Sequence, residues 1–274
     1  MNPKVSILDT QSGRYMVWSS PDVLGGMLLR EGIHEGDVIT LSEFILRNEK
    51  NKFAMDIGAN IGSYTIPLAT RLGEEYKFYC FEIQRHVFYQ LCGNVFLNSL
   101  TNVYPFNFGI GDKDEKINIQ LVDYSTCWNV GGYSMDEVAT SRARGDFPSQ
   151  AVIGETEAEI KSIDNLPSLD FAGLVKLDVE GHELEVLKGM VSYLKRSGYP
   201  PVIFEAWGWD WYAEKKLRTE AFLREMGYSN ICLIAHPSSV DNNGGNYLAQ
   251  HSESSSKRYA LVANASGGYY VAVS

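Results

Sequence analysis

The sequence predicts an α/β fold: a doubly wound, mostly parallel sheet with one antiparallel strand at its C-terminal end. Three observations carry that expectation. From about residue 53 onward, short apolar runs alternate with helical patterns long enough to serve as crossovers. A parallel sheet covered on both faces needs that alternation. The run Met55-Asp56-Ile57-Gly58-Ala59-Asn60-Ile61-Gly62 ends a strand in an acid and passes through a glycine turn into a helix. Finally, residues 229–234 and 259–263 read as strands with only a polar stretch between them. Without a crossover helix, the last strand must run antiparallel.

The elements follow in order. Residues 1–50 read as a helical and extended preface packed on the core, and residues 51–274 as the main domain. The preface holds a strand over 15–18, a helix over 23–30 opened by Ser20-Pro21-Asp22, and a helix over 37–47 with Val38, Leu41 and Ile45 at helical spacing. Strands are expected at 53–57, 77–81, 102–108, 117–122, 174–177 and 201–204. Helices are expected at 64–72, 85–97, 182–195 and 210–226. Loop insertions fall at about 123–160 and 236–258, the second a Ser-, Asn- and Gly-rich surface loop.

Composition narrows the function. The 274 residues are 45% hydrophobic and 21% charged, enough for a full core in one domain. A net charge of −10 and a pI near 5.0 argue against binding duplex nucleic acid, which needs cationic surface. Cys80, Cys92, Cys127 and Cys232 form no C-x-x-C pair and read as small buried hydrophobes. The first residues lack a basic start before an apolar run, and no stretch is long and apolar enough to span a bilayer, so the expected compartment is the cytoplasm.

The glycine loop points to a nucleotide-like cofactor. Gly58 and Gly62 permit a tight turn and close ligand approach. A dinucleotide fingerprint fails, because Asn60 and Ser63 stand where its second and third glycines belong, and no P-loop is present. Asp56 would repel pyrophosphate but suits the ammonium of an amino-acid-bearing cofactor. Glu82 ends the next strand, where an acid can accept both ribose hydroxyls.

Together these motifs resemble the FkbM-type methyltransferases. The resemblance rests on D-I-G-A-N-I-G from Asp56, on Phe81-Glu82, and on K-L-D-V-E-G-H-E-L-E-V-L-K-G from Lys176. Ile33-His34-Glu35, Asn94, Asn98, Asn129-Val-Gly-Gly132 and Ser162-Ile-Asp-Asn-Leu166 also match, so it runs from about Gly32 to Glu205. Glu82-Ile83-Gln84 departs from the family's acid-proline pair. The resemblance implies a Rossmann-like class I methyltransferase fold and S-adenosylmethionine as donor, leaving S-adenosylhomocysteine as product. It also implies oxygen methylation, commonly of sugars or polyketide-like products. Cofactor contacts are then expected from Asp56, Gly58, Ala59, Asn60, Gly62 and Glu82.

The reaction centre is expected beyond the strand 174–177. Methyl transfer to a hydroxyl needs alignment and a base within reach. Asp178, Glu180, His182 and Glu205 are the candidates. Glu183 reads as favourable first-turn helix charge. Clustered acids can also hold a divalent metal, but no diagnostic spacing assigns one. Trp207, Trp209, Trp211 and Tyr212, with Trp128 and Tyr133, form a candidate patch for a sugar face. The leading expectation is an O-methyltransferase acting on a sugar, glycan or other small acceptor. An RNA 2′-O-methyltransferase and a cofactor-binding module without catalysis are the alternatives.

Overall fold

The computed structural model of the chain describes residues 4–18, 22–125, 129–132, 134–135, 152–234, 244–253, 258–263 and 269–273. A hairpin of β1 (Val5–Thr10) and β2 (Gly13–Trp18) opens the chain, followed by α1 (Val23–Glu31) and α2 (Gly36–Asn48). The Asp22 carboxylate caps α1 by accepting the Gly25 amide. Alternation then begins: β3 (Phe53–Ile57), α3 (Thr65–Leu72), β4 (Lys77–Phe81), α4 (Arg85–Leu97) and β5 (Val103–Phe106). β6 (Gly109–Ile110), β7 (Glu115–Val122) and β8 (Val152–Lys161) make a small separate sheet. β9 (Leu174–Leu177), α5 (Glu183–Lys188), α6 (Val191–Arg196), β10 (Val202–Trp207), α7 (Ala213–Glu225), β11 (Asn230–Leu233) and β12 (Gly244–Gln250) complete the main unit. β13 (Tyr259–Ala263) and β14 (Tyr269–Val273) pair with each other.

The main sheet has seven strands in the order β11-β12-β10-β9-β3-β4-β5. All pairs from β5 to β10 are parallel, and β12 runs antiparallel to both β10 and β11. The chain steps outward from β3 through β4 and β5, then returns to β9 on β3's other side. That reversal opens a crevice at the carboxyl ends of β3 and β9. The side-chain period of two divides each strand between two cores. Ala54, Leu174, Ile203 and Leu248 join the core made with α2 and α3. Met55, Val175, Leu177 and Phe204 join the core made with α5, α6 and α7. Asp56, Lys176 and Glu205 therefore share the face of the first core, at the edge where the crevice opens.

Several expectations change. The antiparallel strand is β12, inside the segment read as a surface loop, and not 259–263, which lies in its own two-stranded sheet. Gly244 to Gln250 offers a period-two pattern, but its Gly and Asn residues mask it. Residues 152–161, read as part of an insertion, form β8 against β7. β1 was not expected, because its buried and exposed residues hardly contrast. Cys127, Trp128, Tyr133 and most of the two insertion loops lie outside the described residues. Among the described residues no helix is long and apolar enough to cross a membrane.

The helix expected over 182–195 is two helices with a break at Gly189. Asp164 causes it, its carboxylate accepting the Ser192 and Tyr193 amides at 2.9 and 2.7 Å and so starting α6 afresh. The Gly189 carbonyl is meanwhile taken by the Asp164 amide and the Ser162 hydroxyl. A Cβ on Gly189 would lie 1.8 Å from the Gly111 carbonyl oxygen. This fixes the sign of a substitution. In a continuous helix Gly189→Ala would gain about 1 kcal/mol from helix propensity. With the break and the Gly111 contact it should lose about 1–3 kcal/mol or more by overpacking. Chemical denaturation decides, and a stabilised variant would reject the packing account.

Candidate active site

The loop after β3 is built by its neighbours. Gly58 and Ala59 donate their amides to the Phe81 carbonyl at the end of β4, at 2.9 and 3.0 Å. Gly58 has φ +86°, and a Cβ there would fall 1.8 Å from the Asp178 carbonyl oxygen. The loop thus lies directly against the end of β9, and only glycine allows it. Asn60 adopts the left-handed region at φ 50°. Its amide donates to Glu82 Oε2 at 3.0 Å, and the Gln84 amide donates to Glu82 Oε1 at 2.8 Å. Burial raises the Glu82 carboxyl to about 7 despite these two amides. One lone pair on each oxygen stays open toward the crevice.

A cavity of about 240 Å³ opens here. Gly58, Asn60 and Glu82 line one part, and Ile83, Gly109 and Ile110 supply an apolar wall beside them. Gln84 also faces in; its Nε2 donates to the Val130 carbonyl at 3.1 Å, while its buried Oε1 has no donor among the described residues. Asp178, Glu180, His182 and Glu205 line the opposite part with His34 and Glu35. Asn129, Gly131, Gly132 and Met135 cover it from the side. Asp22 and Gln84 hold this cover through the Val130 amide and carbonyl.

The acid half depends on Lys176, which is 2% exposed. Its ammonium lies 2.7 Å from Asp178 Oδ2 and 3.6 Å from Glu35 Oε2, and over the Tyr64 ring. It is the cross-strand neighbour of Asp56. Burial opposes the ammonium's charge, but Asp178, Glu35 and Asp56 together hold its pKa well up. Burial likewise opposes charge on Asp178, yet Lys176 outweighs it and keeps that carboxyl below its ordinary range. Glu180 and Glu205 are pushed well up, by burial first and then by the Asp178 charge. Lys176 thus favours the charged form of Asp178, while burial beside that charge disfavours it on the two glutamates.

The ten residues expected from sequence stand in different relations to this cavity. Gly58, Asn60, Glu82, Asp178, Glu180, His182 and Glu205 line it. Ala59 packs in the core beneath. Asp56 and Gly62 do not line it. Asp56 is 2% exposed and accepts the Thr65 hydroxyl at 2.6 Å, and burial lifts it to about 6 against the pull of Lys176. Gly62 has φ +87° and admits Ile66 and Leu91 where a side chain would stand. Glu183 is a buried carboxylate that folds the 179–181 turn by accepting the Val179 and Gly181 amides and the Tyr212 hydroxyl. Of the aromatic run, Tyr212 is buried, Trp207 and Trp211 pack against it, and Trp209 is exposed; none lines the cavity. Lys176, Glu35 and Gln84 were missed as site residues. Lys176 carried a signal, a lysine inside an apolar strand, which is rarely buried unless paired.

Residues 56–229 match the family model of the methyltransferase FkbM domain. The chain belongs to this family. It is 26% identical over 222 residues to the hexuronic acid methyltransferase AglP of Haloferax volcanii, covering 81% of this chain and 82% of AglP. Among solved structures it resembles methyltransferase FkbM from Methylobacillus flagellatus KT, with TM-score 0.51 and 16% identity. That match covers 73% of this chain but 44% of the other, so the chain spans less than half the length of that protein. A precorrin-6y C5,15-methyltransferase from Geobacter metallireducens GS-15 aligns at TM-score 0.48 and 14% identity, over 81% and 92% of the two chains.

In this methyltransferase fold the burial of Lys176 has a measurable consequence. Lys176→Met leaves Asp178, Asp56 and Glu35 without their shared ammonium. Removing one partner of a buried pair costs about 3–5 kcal/mol. The sign with pH follows from Asp178. Its depressed pKa gives wild type a stability that is present above the ordinary aspartate value of 3.8 and lost on acidification through the folded pKa. The deficit of the variant, measured by denaturant unfolding, should be full above that value and narrow below it, as acid carries wild type through the folded pKa. A deficit independent of pH would show that Lys176 matters only for packing.

Proposed function

We propose that this methyltransferase uses S-adenosylmethionine as donor and methylates a hydroxyl oxygen of a sugar, glycan or other small acceptor. The observation that carries the reading is the division of one cavity into two unlike halves. The half around Gly58, Asn60, Glu82 and Ile83 suits a nucleoside: close backbone approach, an apolar wall, and open acceptors on Glu82 and on the orphaned Gln84 Oε1. Such acceptors fit ribose hydroxyls or an exocyclic amine. Bound there, S-adenosylmethionine would supply an electrophilic methyl group on a sulfonium.

The other half suits an oxygen nucleophile. Asp178 is the carboxylate held ionised, so it takes the proton of the acceptor hydroxyl. The acceptor oxygen, relieved of its proton by Asp178, would then carry the lone pair for the methyl carbon, and the carbon–sulfur electron pair would return to sulfur. His182 and Glu180 flank the same space and orient the acceptor. No Lys or Arg lines the cavity among the described residues. A phosphate-rich acceptor would find no cation there, which favours a small acceptor over RNA. The likeness to AglP, a hexuronic acid methyltransferase, supports a sugar acceptor.

The test has two parts. At ~100 times its dissociation constant, S-adenosylmethionine should add about 2.7 kcal/mol to unfolding stability, with no comparable effect of NADH. Absence of binding by calorimetry would reject the donor. Labelled-methyl transfer should then reach a member of a glycan and polyol panel and not capped RNA. Asp178→Asn should keep the cofactor and lose ~10²–10⁴ in single-turnover rate. Wild-type turnover in that variant would remove Asp178 from the reaction.

A further inference from the structure

Three carboxylates in the acid half converge. One oxygen from each of Asp178, Glu180 and Glu205 lies within 4.8 Å of the others. Opposite ligands on a hard divalent ion stand about 4–5 Å apart, so one ion can bridge all three. Convergence of acids alone would mean little, but a neighbouring group points the same way. Asn246 lies directly opposite Glu205 in the β10–β12 ladder. Opposed residues leave an antiparallel pair on the same face, with Cβ atoms about 5 Å apart. Its Nδ2 donates to Glu35 Oε1 at 2.7 Å, so the amide lies beside Glu35 on the face that also carries Glu205. The residue is 8% exposed, and its Oδ1 has no donor among the described residues. A buried amide oxygen without a donor is expensive unless a cation faces it. Lys176 pairs with Glu35 and Asp178, so among the described residues it offers its ammonium to only one of the three converging carboxylates.

We propose that Asp178, Glu180 and Glu205 bind a hard divalent metal ion, with the Asn246 amide oxygen facing it, and that this ion holds the acceptor hydroxyl. All four groups offer oxygen, the donor set preferred by magnesium, manganese and calcium. An ion there acidifies the hydroxyl it binds, because the proton then leaves an oxygen whose negative charge the ion stabilises. The proton still passes to a carboxylate of the cluster, and the remainder of the transfer is unchanged. Only this last role rests on the methyl-transfer reading. The binding itself does not.

Manganese(II) alone is the probe, titrated into the full-length protein without cofactor and followed by electron paramagnetic resonance. One bound ion per chain is expected. Glu180→Gln and Glu205→Gln, which keep shape and remove charge, should abolish it while the thermal unfolding transition persists. Asn246→Leu lies outside the acids and should weaken binding by about 10–100-fold; it decides the matter if a Gln variant fails to fold. No bound manganese in wild type, or unchanged affinity in these variants, overturns the site. Failure of S-adenosylmethionine to bind would leave this measurement untouched, so the two proposals fail separately. If methyl transfer proceeds at full rate after chelation, the ion has no place in the reaction.

Discussion

The buried ammonium of Lys176 is the interaction on which the rest of the site depends. Each carboxylate brought to the edge of the sheet carries a desolvation penalty of several kcal/mol if ionised. Asp56, Asp178 and Glu205 all leave the sheet on the face that carries α2 and α3, because each stands at an even step from an apolar residue of that core. Such a stripe of acids under a helical layer is untenable without a counter-charge. Lys176, from the middle of β9, supplies it from below, where it cannot be displaced by solvent. Its stem is wrapped by core residues and its head lies over Tyr64. One residue thus lets Asp178 stay charged among carboxylates that burial pushes the other way.

Gly58 sets the second constraint, a distance. Because its Cα lies against the Asp178 carbonyl, the loop that forms the donor half and the turn that carries the acids are in backbone contact. The two halves of the cavity therefore cannot drift apart without breaking the β3–β9 pair itself. Glu82 locks the loop from the other side through the Asn60 amide. Placing a methyl donor and an acceptor oxygen in line requires this sort of fixed spacing, since positioning supplies much of the acceleration in displacement chemistry.

The fold was legible where local signals agree. The strands at β3, β4 and β9 and the helix α4 follow from apolar runs and periodicity, and the glycine loop from its acid and two glycines. Illegible features have non-local causes. The break at Gly189 depends on Asp164, which lies in a segment distant in sequence. The identity of the antiparallel strand depends on whether β12 or β13 reaches β10, and the Gly-Gly-Asn start of β12 hides its pattern. Within the site, seven expected residues line the cavity, but Asp56 was assigned to the cofactor on its position at a strand tip. The parity of β3 sends it to the core face instead, beside Lys176 and Thr65. Parity was available from the sequence; which face each parity meets was not.

The two halves of the cavity are also built from different materials. Gly58, Asn60 and Glu82 sit at strand ends, positioned by backbone hydrogen bonds to neighbouring strands. The cover over the acids comes from residues 129–132 and 134–135, tied to the body by Asp22, Gln84 and the Ser134 hydroxyl, which donates to the Glu180 carbonyl. Asn60 and Gly131 touch closely enough that a Cβ on Gly131 would collide with the Asn60 amide. Asn60 thus both lines the cavity and meets the cover, which joins the two halves through one side chain. Strand ends therefore fix one half of the cavity through backbone pairing, whereas side-chain hydrogen bonds fix the wall of the other.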